Sequence, residues 1–309
     1  MNRDITTDKT FTEALGSMAG AENVLVNEPM SRHTTFMVGG PADFFVAPSD
    51  TASLAQIVNL CCSEEVPYYL VGNGSNLLVS DQGFRGVILS TKNLQALHVE
   101  GNEITAGPGV RMSVLSKEAC RAGLAGLAFA AGIPGTVGGG VHMNAGAYDG
   151  EISKVAKCVR VLDKEAKEHV WTAQEMQFDY RSSRAMKEEA IVLETVFSLE
   201  PGDPEQIQAR IDELAAKRRA SQPLEFPSAG STFKRPRGYY AGKLIQDSGL
   251  AGYRIGGACV STKHCGFVIN DQHATASDIY QLCRNIQDIV FDKYGVKLAM
   301  EVKMIGDFC

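Results

Sequence analysis

Hydrophobic and polar positions in the first part of the chain predict short strands separated by glycine and proline turns. Four β-rich runs are closely spaced there, at 43–47, 67–72, 76–80 and 86–90. Apolar residues at helical spacing over 51–62 predict a helix between the first two strands. Strand, helix and strand in this order form a β-α-β unit. Residues 1–30 are predicted as a helical segment that leads into a loop.

The rest of the chain continues this mixture of strands and helices. Helices are predicted over 112–121, 204–221, 239–248 and 277–294, and strands over 96–106, 158–163, 190–200, 266–270 and 298–306. The second of these helices opens with Pro204 and carries basic residues in its last turn, as the helix dipole favours. Thr275 and Asp278 have the spacing of a capping box before the last helix. The pattern predicts an α+β protein.

Composition and charge narrow the classes of function. Hydrophobic residues make up 44% and charged residues 21% of the 309 residues, as in ordinary globular proteins. The formal net charge of −6 argues against non-specific binding of nucleic acid, which requires a basic surface. The N-terminal sequence has no apolar segment of signal-peptide length, and the apolar run 122–133 is too short to span a bilayer. These features predict a cytoplasmic protein with no membrane segment.

The cysteines predict neither a metal site nor a disulfide framework. They lie at positions 61, 62, 120, 158, 259, 265, 283 and 309, without a CxxC pair and without a histidine at metal-binding spacing. Free thiols in a reducing cytosol are the favoured interpretation.

Two glycine-rich loops have the composition of anion-binding sites. Residues 72–79 (GNGSNLLV) directly follow a predicted strand, and glycines there let successive backbone N–H groups point toward one anion. Residues 131–140 (AGIPGTVGGG) form the second loop, and residues 31–43 form a third polar, glycine-rich segment. Neither loop matches a GxGxxG fingerprint or a P-loop. Tight turns are the alternative interpretation, but two such loops in one half of the chain favour a cofactor that carries a diphosphate.

Several segments, in order along the chain, resemble the UDP-N-acetylenolpyruvoylglucosamine reductase family. They are 32–46, 67–89, 131–152, 178–184, 222–236, 241–261 and 298–306. The resemblance implies a vanillyl-alcohol-oxidase-like (PCMH-like) FAD-binding domain of two α/β subdomains, 1–90 and 91–203, and a C-terminal α+β substrate domain, 204–309. The stretch between Arg181 and Ser231 leaves little room for the tyrosine-bearing loop of one family type. The chain therefore resembles the type that lacks this loop.

The resemblance also implies a reaction and its ligands. NADPH reduces FAD, and the enolpyruvyl group of UDP-N-acetylglucosamine enolpyruvate then accepts the hydride to give UDP-N-acetylmuramate for peptidoglycan synthesis. FAD is expected to contact Arg32, Thr35, Gly72, Asn73, Gly74, Ser75, Asn76, Leu77, Gly132, Ile133, Pro134, Gly135, Gly138, Gly139, Asn144, Ala145 and Gly146. The UDP-sugar is expected to contact Tyr180, Lys234, Arg235, Lys243 and His264.

Four further residues have two open interpretations each. Tyr239 and Tyr240 either cover a ring of the ligand or pack in the core, and core packing is favoured. Arg218 and Arg219 either reach the flavin phosphates or complement the end of their helix.

Reduction of an enolpyruvyl double bond requires three kinds of group. Negative charge develops beside the substrate carboxylate, so the site needs a cation, a group that polarises the enolate and a proton donor. By resemblance these are Arg181, Glu301 and Ser231 respectively. Taken singly, an arginine or serine in a turn is more often a surface residue. Because all three lie in family segments in the family's order, the catalytic interpretation is favoured.

Two other functions stay open from the residues. One is a different flavin oxidoreductase on the same FAD scaffold, for which His142 is the one candidate for a covalent flavin link. The other is a UDP-sugar binding protein without catalysis. The sequence lacks coiled-coil heptads, and a monomer is expected.

Overall fold

The helices begin and end close to where the sequence predicts them. The computed structural model describes residues 5–308, so residues 1–4 of the predicted N-terminal segment and Cys309 lie outside the described residues. Its α-helices are α1 Lys9–Ala19, α2 Thr51–Ser63, α3 Met112–Arg121, α4 Val137–His142, α5 Arg184–Lys187, α6 Pro204–Ser221, α7 Ala241–Asp247 and α8 Ala276–Tyr294. Short 3-10 helices cover Ile5–Thr7, Ala21–Asn23, Met30–Arg32, Ala128–Gly132 and Ile152–Lys154.

The strands are short, as the spacing of turn residues predicts. They are β1 Val24–Pro29, β2 Pro41–Val46, β3 Tyr68–Val71, β4 Leu77–Val79, β5 Phe84–Ser90, β6 Leu97–Glu100, β7 Glu103–Ala106, β8 Leu124–Ala125, β9 Gly146–Ala147, β10 Gly150–Glu151, β11 Ala156–Leu162, β12 Glu168–Thr172, β13 Ile191–Ser198, β14 Glu200–Pro201, β15 Arg254–Ile255, β16 Ala258–Val260, β17 Val268–Asn270 and β18 Lys303–Ile305. The larger sheets have the orders β1-β2-β5-β3, β12-β11-β13-β7-β6 and β15-β16-β17. With helices and sheets both present, the predicted α+β class is confirmed.

The chain divides into two units, each built from separated segments. The first contains the described residues up to Val26, then Phe44–Asn73 and Gly86–Arg218. The second contains Asn27–Asp43, Gly74–Arg85 and the described residues from Arg219 onward. The three-domain division expected from the sequence stays a prediction.

The first unit has an antiparallel sheet at its centre. Strand β11 pairs with β12 on one side and β13 on the other, and β7 and β6 extend the sheet. Its core includes Val159 and Phe197 from the sheet and Leu115 from α3, all fully buried. This sheet supports α4 and the glycine-rich loop that precedes it.

The second unit is organised around α8. Thr275 and Asp278 form the predicted capping box, and Gly295 ends the helix in the left-handed conformation with a φ of 68°. Buried α8 residues pack against the β15-β16-β17 side of the same core. In this unit β18 pairs in parallel with β4, so the C-terminal strand lies beside the residues that follow the first glycine-rich loop.

Three predictions of local structure were wrong in detail. The loop predicted at the end of segment 1–30 contains strand β1. Of the strand predicted for 298–306, only β18 is regular, because the residues before it make an isolated bridge, Phe233 with Met300, instead of a ladder. The strand-like stretch 96–106 is a hairpin of β6 and β7, which turns at Gly101.

The described cysteines are free thiols, and most of them are buried. Burial raises the pKa of the Cys61 thiol to about 12 and that of the Cys283 thiol to about 12. Both thiols are therefore protonated at neutral pH and act as small apolar side chains.

Candidate active site

The first unit brings the two predicted glycine-rich loops together. The side-chain amide of Asn73 donates a hydrogen bond of 2.5 Å to the carbonyl oxygen of Pro134. A β-carbon on Gly72 would overlap the hydroxyl of Thr136, so a larger residue does not fit this contact. Gly72 and Asn73 thus lie directly against loop 131–140.

Hydrogen-bond donors at this contact lack acceptors. Within residues 5–308, the N–H groups of Gly72 and Asn73 donate to no protein atom, and Thr136 Oγ1 is buried without a hydrogen-bond partner. Gly139 is exposed, and a β-carbon there would be in ordinary van der Waals contact with Thr136 Oγ1 at 3.8 Å. Unpaired backbone donors beside an exposed glycine are typical of phosphate-binding loops. These residues fit the diphosphate of FAD.

The other cofactor residues predicted in this unit follow the same loop. Gly132, Ile133, Pro134 and Gly135 precede α4, Gly138 lies within it, and Asn144, Ala145 and Gly146 follow it. Packing within the protein explains two of these glycines: a β-carbon on Gly138 would lie 2.8 Å from Cβ of Pro108, and one on Gly146 would lie 2.7 Å from the carbonyl oxygen of Gly150. At these two positions the protein itself requires glycine.

Arg181 lies at the tip of a tight turn, the arginine turn (residues 179–182), in the first unit. The backbones of Asp179 and Ser182 exchange hydrogen bonds of 3.0 and 3.1 Å. Arg181 has a φ of 50°, in the left-handed region, which costs a residue with a side chain about 1–3 kcal/mol. Its Nη2 donates to the carbonyl oxygen of Gly146 at 3.0 Å, and its guanidinium lies 5.3 Å from the centre of the Tyr180 ring.

Buried polar side chains hold the arginine turn against the segment that follows α4. Asn144 is buried with a φ of 44°; its amide donates to the carbonyl oxygen of Asp179 at 3.2 Å and accepts from the N–H of Ser153 at 3.0 Å. The buried Ser183 hydroxyl donates to the carbonyl oxygen of His142 at 2.7 Å. Asn144 therefore supports the position of the arginine turn.

The second unit holds the remaining predicted cofactor residues, which are Arg32, Thr35, Gly74, Ser75, Asn76 and Leu77. Gly74 has a φ of 59°, and a β-carbon there would overlap the carbonyl oxygen of His33. Thr35 donates from its N–H to the carbonyl oxygen of Gly74 at 3.2 Å and from its hydroxyl to that of Ser228 at 2.6 Å. Arg32 is exposed, with its Nη1 3.6 Å from Glu28 Oε1.

Backbone pairing brings the segments of Ser231 and Glu301 side by side in the second unit. The N–H of Glu301 donates to the carbonyl oxygen of Thr232 at 2.9 Å. The side-chain amide of Asn76 donates to the carbonyl oxygen of Glu301 at 3.1 Å. Ser231 is exposed and Glu301 is half-buried. Two of the three predicted catalytic residues thus lie on adjacent extended segments.

The segment of Ser231 is fixed on its other edge as well. The N–H of Thr232 donates to the carbonyl oxygen of Gly266 at 2.9 Å, and the buried hydroxyl of Thr232 accepts from the N–H of Val268 at 3.0 Å. Gly230, just before Ser231, has a φ of 74°. The exposed Ser231 therefore follows a glycine turn and enters a segment paired on both edges.

The predicted substrate residues of the second unit have different surroundings. Burial lowers the pKa of the His264 imidazole below its ordinary value, so the neutral ring is favoured. Its Nδ1 accepts from the N–H of Gly266 at 3.1 Å, which leaves the ring proton on Nε2. Lys243 is exposed and bonds Asp247 at 2.7 Å along α7, and this carboxylate raises the pKa of the Lys243 ammonium group. Lys234 is half-buried beside the Ser231 segment.

The core packing expected for Tyr239 and Tyr240 is wrong. Their exposed fractions are 47% and 63%. The guanidinium of Arg235 lies 3.9 Å from the centre of the Tyr240 ring, and its Nε donates to the carbonyl oxygen of Tyr239 at 3.3 Å. The alternative interpretation, in which these rings face a ligand, fits their exposure. Tyr180, in the first unit, is also exposed, at 51%.

The structure draws attention to two residues outside the set of predicted cofactor residues. Thr136 lies among the predicted cofactor residues but reads as an ordinary turn residue in the sequence. Arg218 packs against Gly132, with its Cδ 3.1 Å from the position of a β-carbon there. The only sequence signal for Arg218 was its place in a basic pair at the end of a helix.

No group of three or more histidine, cysteine or acidic side chains with metal-binding geometry occurs within residues 5–308. In the same part of the chain, none of the helices has the length and apolar character needed to cross a bilayer.

Comparisons with known proteins match both halves of the chain. Residues 42–171 match the model of an FAD binding domain, and residues 222–305 match that of the UDP-N-acetylenolpyruvoylglucosamine reductase C-terminal domain. The reductase of Clostridium perfringens is 47% identical over 296 residues, covering 96% of this chain and 97% of the relative. The reductase of Lachnoclostridium phytofermentans is 47% identical over 305 residues, covering 97% and 98%.

A solved structure agrees with these sequence matches. The crystal structure of UDP-N-acetylenolpyruvylglucosamine reductase from Thermus caldophilus has a TM-score of 0.79 and 33% identity, and the match covers 92% of this chain and 98% of that one. The predicted fold class, with an FAD-binding domain followed by a second domain typical of these enzymes, is confirmed.

Proposed function

Because this chain belongs to the UDP-N-acetylenolpyruvoylglucosamine reductase family, we propose that Arg181, Ser231 and Glu301 carry out its reaction. The enzyme is an FAD-dependent oxidoreductase of peptidoglycan precursor synthesis, and NADPH is its reductant. It reduces UDP-N-acetylglucosamine enolpyruvate to UDP-N-acetylmuramate. When bound, FAD supplies the transfer of two electrons from NADPH to the enolpyruvyl double bond.

The glycine-rich loops hold FAD through backbone donors in this proposal. In the first unit, the unpaired N–H groups of Gly72 and Asn73 and the exposed Gly139 support a role for loop 131–140 in binding the diphosphate. In the second unit, the N–H of Thr35 donates a hydrogen bond to the carbonyl oxygen of Gly74. This bond supports a fixed backbone conformation at the start of loop 74–77. Arg32, which is exposed and lies 3.6 Å from Glu28, is a further candidate for contact with FAD.

Arg181 binds the carboxylate of the enolpyruvyl group in this proposal. A guanidinium remains charged and holds a carboxylate through two parallel hydrogen bonds. Two hydrogen bonds fix the arginine turn before the substrate binds. Arg181 donates to the carbonyl oxygen of Gly146, and the amide of Asn144 donates to the carbonyl oxygen of Asp179. Preorganised cations of this kind stabilise charge that develops during the reaction.

Ser231 donates the proton, and Glu301 polarises the enolate carboxylate. A serine hydroxyl is a weak acid, so Ser231 serves only when it faces a strongly basic carbon. The hydrogen bond between the backbones of Glu301 and Thr232 supports the joint action of the two residues. This pairing is the single structural observation that carries the assignment of both roles.

In this proposal, cations and hydrogen-bond donors bind the UDP-sugar. Tyr180 neighbours Arg181 in the first unit, and Lys234, Arg235, Lys243 and His264 belong to the second. The neutral His264 ring offers an Nε2–H donor rather than a charge. The stack of Arg235 on the exposed Tyr240 ring supports a role in covering the nucleotide.

Two further properties belong to the proposal. The free thiols of the cysteines that the structure describes support a cytoplasmic location, where thiols stay reduced. A monomer is the expected assembly, and light scattering of the purified protein tests it.

The reaction is tested by product analysis. Purified protein with NADPH and UDP-N-acetylglucosamine enolpyruvate is expected to form a product two hydrogen atoms heavier than the substrate, identified by mass spectrometry as UDP-N-acetylmuramate. Flavin released by heating is expected to be FAD. Flavin without this product would indicate a different oxidoreductase on the same scaffold, and tight binding of the UDP-sugar without flavin would indicate a binding protein; either result contradicts the proposal.

A further inference from the structure

Arg218 is a half-buried cation without a partner in the part of the chain that the structure describes. It lies in the last turns of α6, and its guanidinium makes no hydrogen bond and no ion pair within residues 5–308. Several exposed arginines, such as Arg219 and Arg284, also have no protein partner within the described residues, but solvent surrounds them. The half-buried Arg184, in contrast, pairs with Glu188 at 2.8 Å. Arg218 therefore differs in being half-buried without a protein partner.

An unpaired buried charge is unfavourable for folding. Removing a guanidinium from water without supplying an acceptor is unfavourable, because the charge loses hydration and gains no hydrogen bond. Burial lowers the pKa of Arg218, although an arginine stays charged at any ordinary pH. Burial is the main cause of this shift, and the nearby phenol of Tyr148 opposes it. The guanidinium therefore carries a positive charge that forms no ion pair within residues 5–308.

The position of Arg218 connects it to the glycine-rich loop. Its Cδ and Nη1 lie 3.1 and 3.3 Å from where a β-carbon on Gly132 would be. Gly132 belongs to the segment matched by the FAD-binding family model. The same loop includes Thr136, whose hydroxyl is also buried without a partner. Two hydrogen-bond donors without a protein acceptor, the Arg218 guanidinium and the Thr136 hydroxyl, therefore lie along this loop.

The helix end offers no alternative explanation for the side chain. A basic residue in the last turn of a helix often bonds a terminal carbonyl group. Arg218 donates to none of these carbonyls within the described residues.

We propose that Arg218 binds the diphosphate of FAD across Gly132. A guanidinium matches a phosphate with two parallel hydrogen bonds, and an anion there balances the charge. The inference rests on the proposed function, because it takes FAD as the resident ligand. Phosphates of the UDP-sugar or of NADPH have the same chemistry and are separate outcomes of the test.

The test compares FAD with riboflavin, which carries the same ring but no phosphate. Flavin-free protein is titrated with each ligand, and binding is followed by flavin fluorescence. We expect Arg218→Ala to raise the Kd for FAD about 10- to 100-fold, the range for loss of a hydrogen bond to a charged group, and to leave the Kd for riboflavin unchanged. Arg218→Lys is expected to retain part of the affinity. Arg210→Ala, with a surface ion pair on the same helix, is the matched control and is expected to bind both ligands normally.

A second measurement separates binding from folding. The flavin-free Arg218→Ala protein is expected to melt at the same temperature as wild type or higher, because an unpaired charge is removed. The rise in melting temperature on adding FAD is expected to be smaller in the variant. A lower melting temperature of the flavin-free variant would indicate a structural role and would overturn the inference.

Two other outcomes of the binding and kinetic measurements would overturn the inference. Equal weakening of FAD and riboflavin would place Arg218 at the ring and not at the phosphates. Unchanged FAD affinity with a raised KM for NADPH or for the UDP-sugar would assign it to that ligand's phosphates. Either result overturns this inference while leaving the proposed function intact, whereas a wild-type protein that binds no flavin contradicts the proposed function itself.

Discussion

The regions that carry Arg181 and Ser231 are held in place by different kinds of bond. In the first unit, side chains tie the arginine turn to its neighbours, through the amide of Asn144 and the guanidinium of Arg181 itself. In the second unit, the Ser231 segment is held by backbone pairing, with Lys234 donating to Ala299 at 2.8 Å and Glu301 donating to Thr232 at 2.9 Å.

This difference predicts how the two regions respond to substitution. A backbone hydrogen bond survives a change of side chain, so the catalytic group on a paired segment can be removed while its surroundings stay in place. A hydrogen bond made by a side chain is lost when that side chain is replaced. The position of the arginine turn and the chemistry of its side chains therefore change together. Variants of Ser231 are therefore expected to isolate chemistry, and variants around Arg181 to mix chemistry with positioning.

The largest effect is expected for Ser231→Ala. NADPH is expected to reduce the flavin of the variant at the wild-type rate. Transfer to the enolpyruvyl substrate is expected to slow about 10²- to 10⁴-fold, the usual contribution of a general acid. Stopped-flow absorbance measures the two steps separately. An unchanged melting temperature would support intact pairing, and normal transfer to the substrate would remove Ser231 from the mechanism.

A smaller effect is expected for Arg181→Lys. Lysine keeps the charge but loses the two parallel hydrogen bonds to a carboxylate, so kcat/KM for the enolpyruvyl substrate is expected to fall about 10- to 100-fold. The rate of flavin reduction by NADPH is expected to change little. Arg184→Lys, on the neighbouring exposed ion pair with Glu188, is the matched control. Equal kcat/KM values for Arg181→Lys and wild type would contradict the assignment.

One buried polar substitution in each region tests whether side-chain or backbone hydrogen bonds hold that region in place. Asn144→Gly keeps the left-handed backbone but removes both side-chain hydrogen bonds, and Thr232→Val removes one acceptor. Each is expected to lower the free energy of unfolding by about 1–3 kcal/mol, measured by urea denaturation. Only Asn144→Gly is expected to raise KM for the enolpyruvyl substrate, because only its lost bonds support the arginine turn. Equal effects on KM would remove the distinction between the two regions.

The smallest effect is expected from the titration of His264. Burial holds its pKa below the ordinary value of 6.5, so the unfolded chain takes up a proton at higher pH than the folded protein does. Stability is therefore expected to fall as pH drops below about 6.5, until the folded pKa is passed. Urea denaturation at a series of pH values measures this slope, and His264→Gln is expected to reduce it. An identical slope in the variant would show that His264 does not contribute.

Much of the fold follows from local signals in the sequence. The helix predicted over 204–221 has these bounds in the structure, since Pro204 starts it and its apolar positions Ile207, Ile211 and Leu214 repeat at helical spacing. Helix α8 carries its own capping box and C-terminal glycine. Such signals lie within a few residues of the element that they define.

Several errors concern contacts between residues that are distant in the sequence. The residues before β18 look like a strand in the sequence, but their partners near Thr232 allow only isolated pairing. Tyr239 and Tyr240 have aromatic rings that suit a core, and only the folded structure shows that both are exposed. The bond from Asn144 to Asp179 and the isolation of Arg218 likewise depend on residues far apart in sequence.

Anaerobic absorbance of the flavin tests the central claim most directly. Wild-type protein is expected to show a flavin spectrum that bleaches on addition of NADPH and returns on addition of UDP-N-acetylglucosamine enolpyruvate. A flavin that bleaches with NADPH but stays bleached in the presence of the enolpyruvyl sugar would contradict the account.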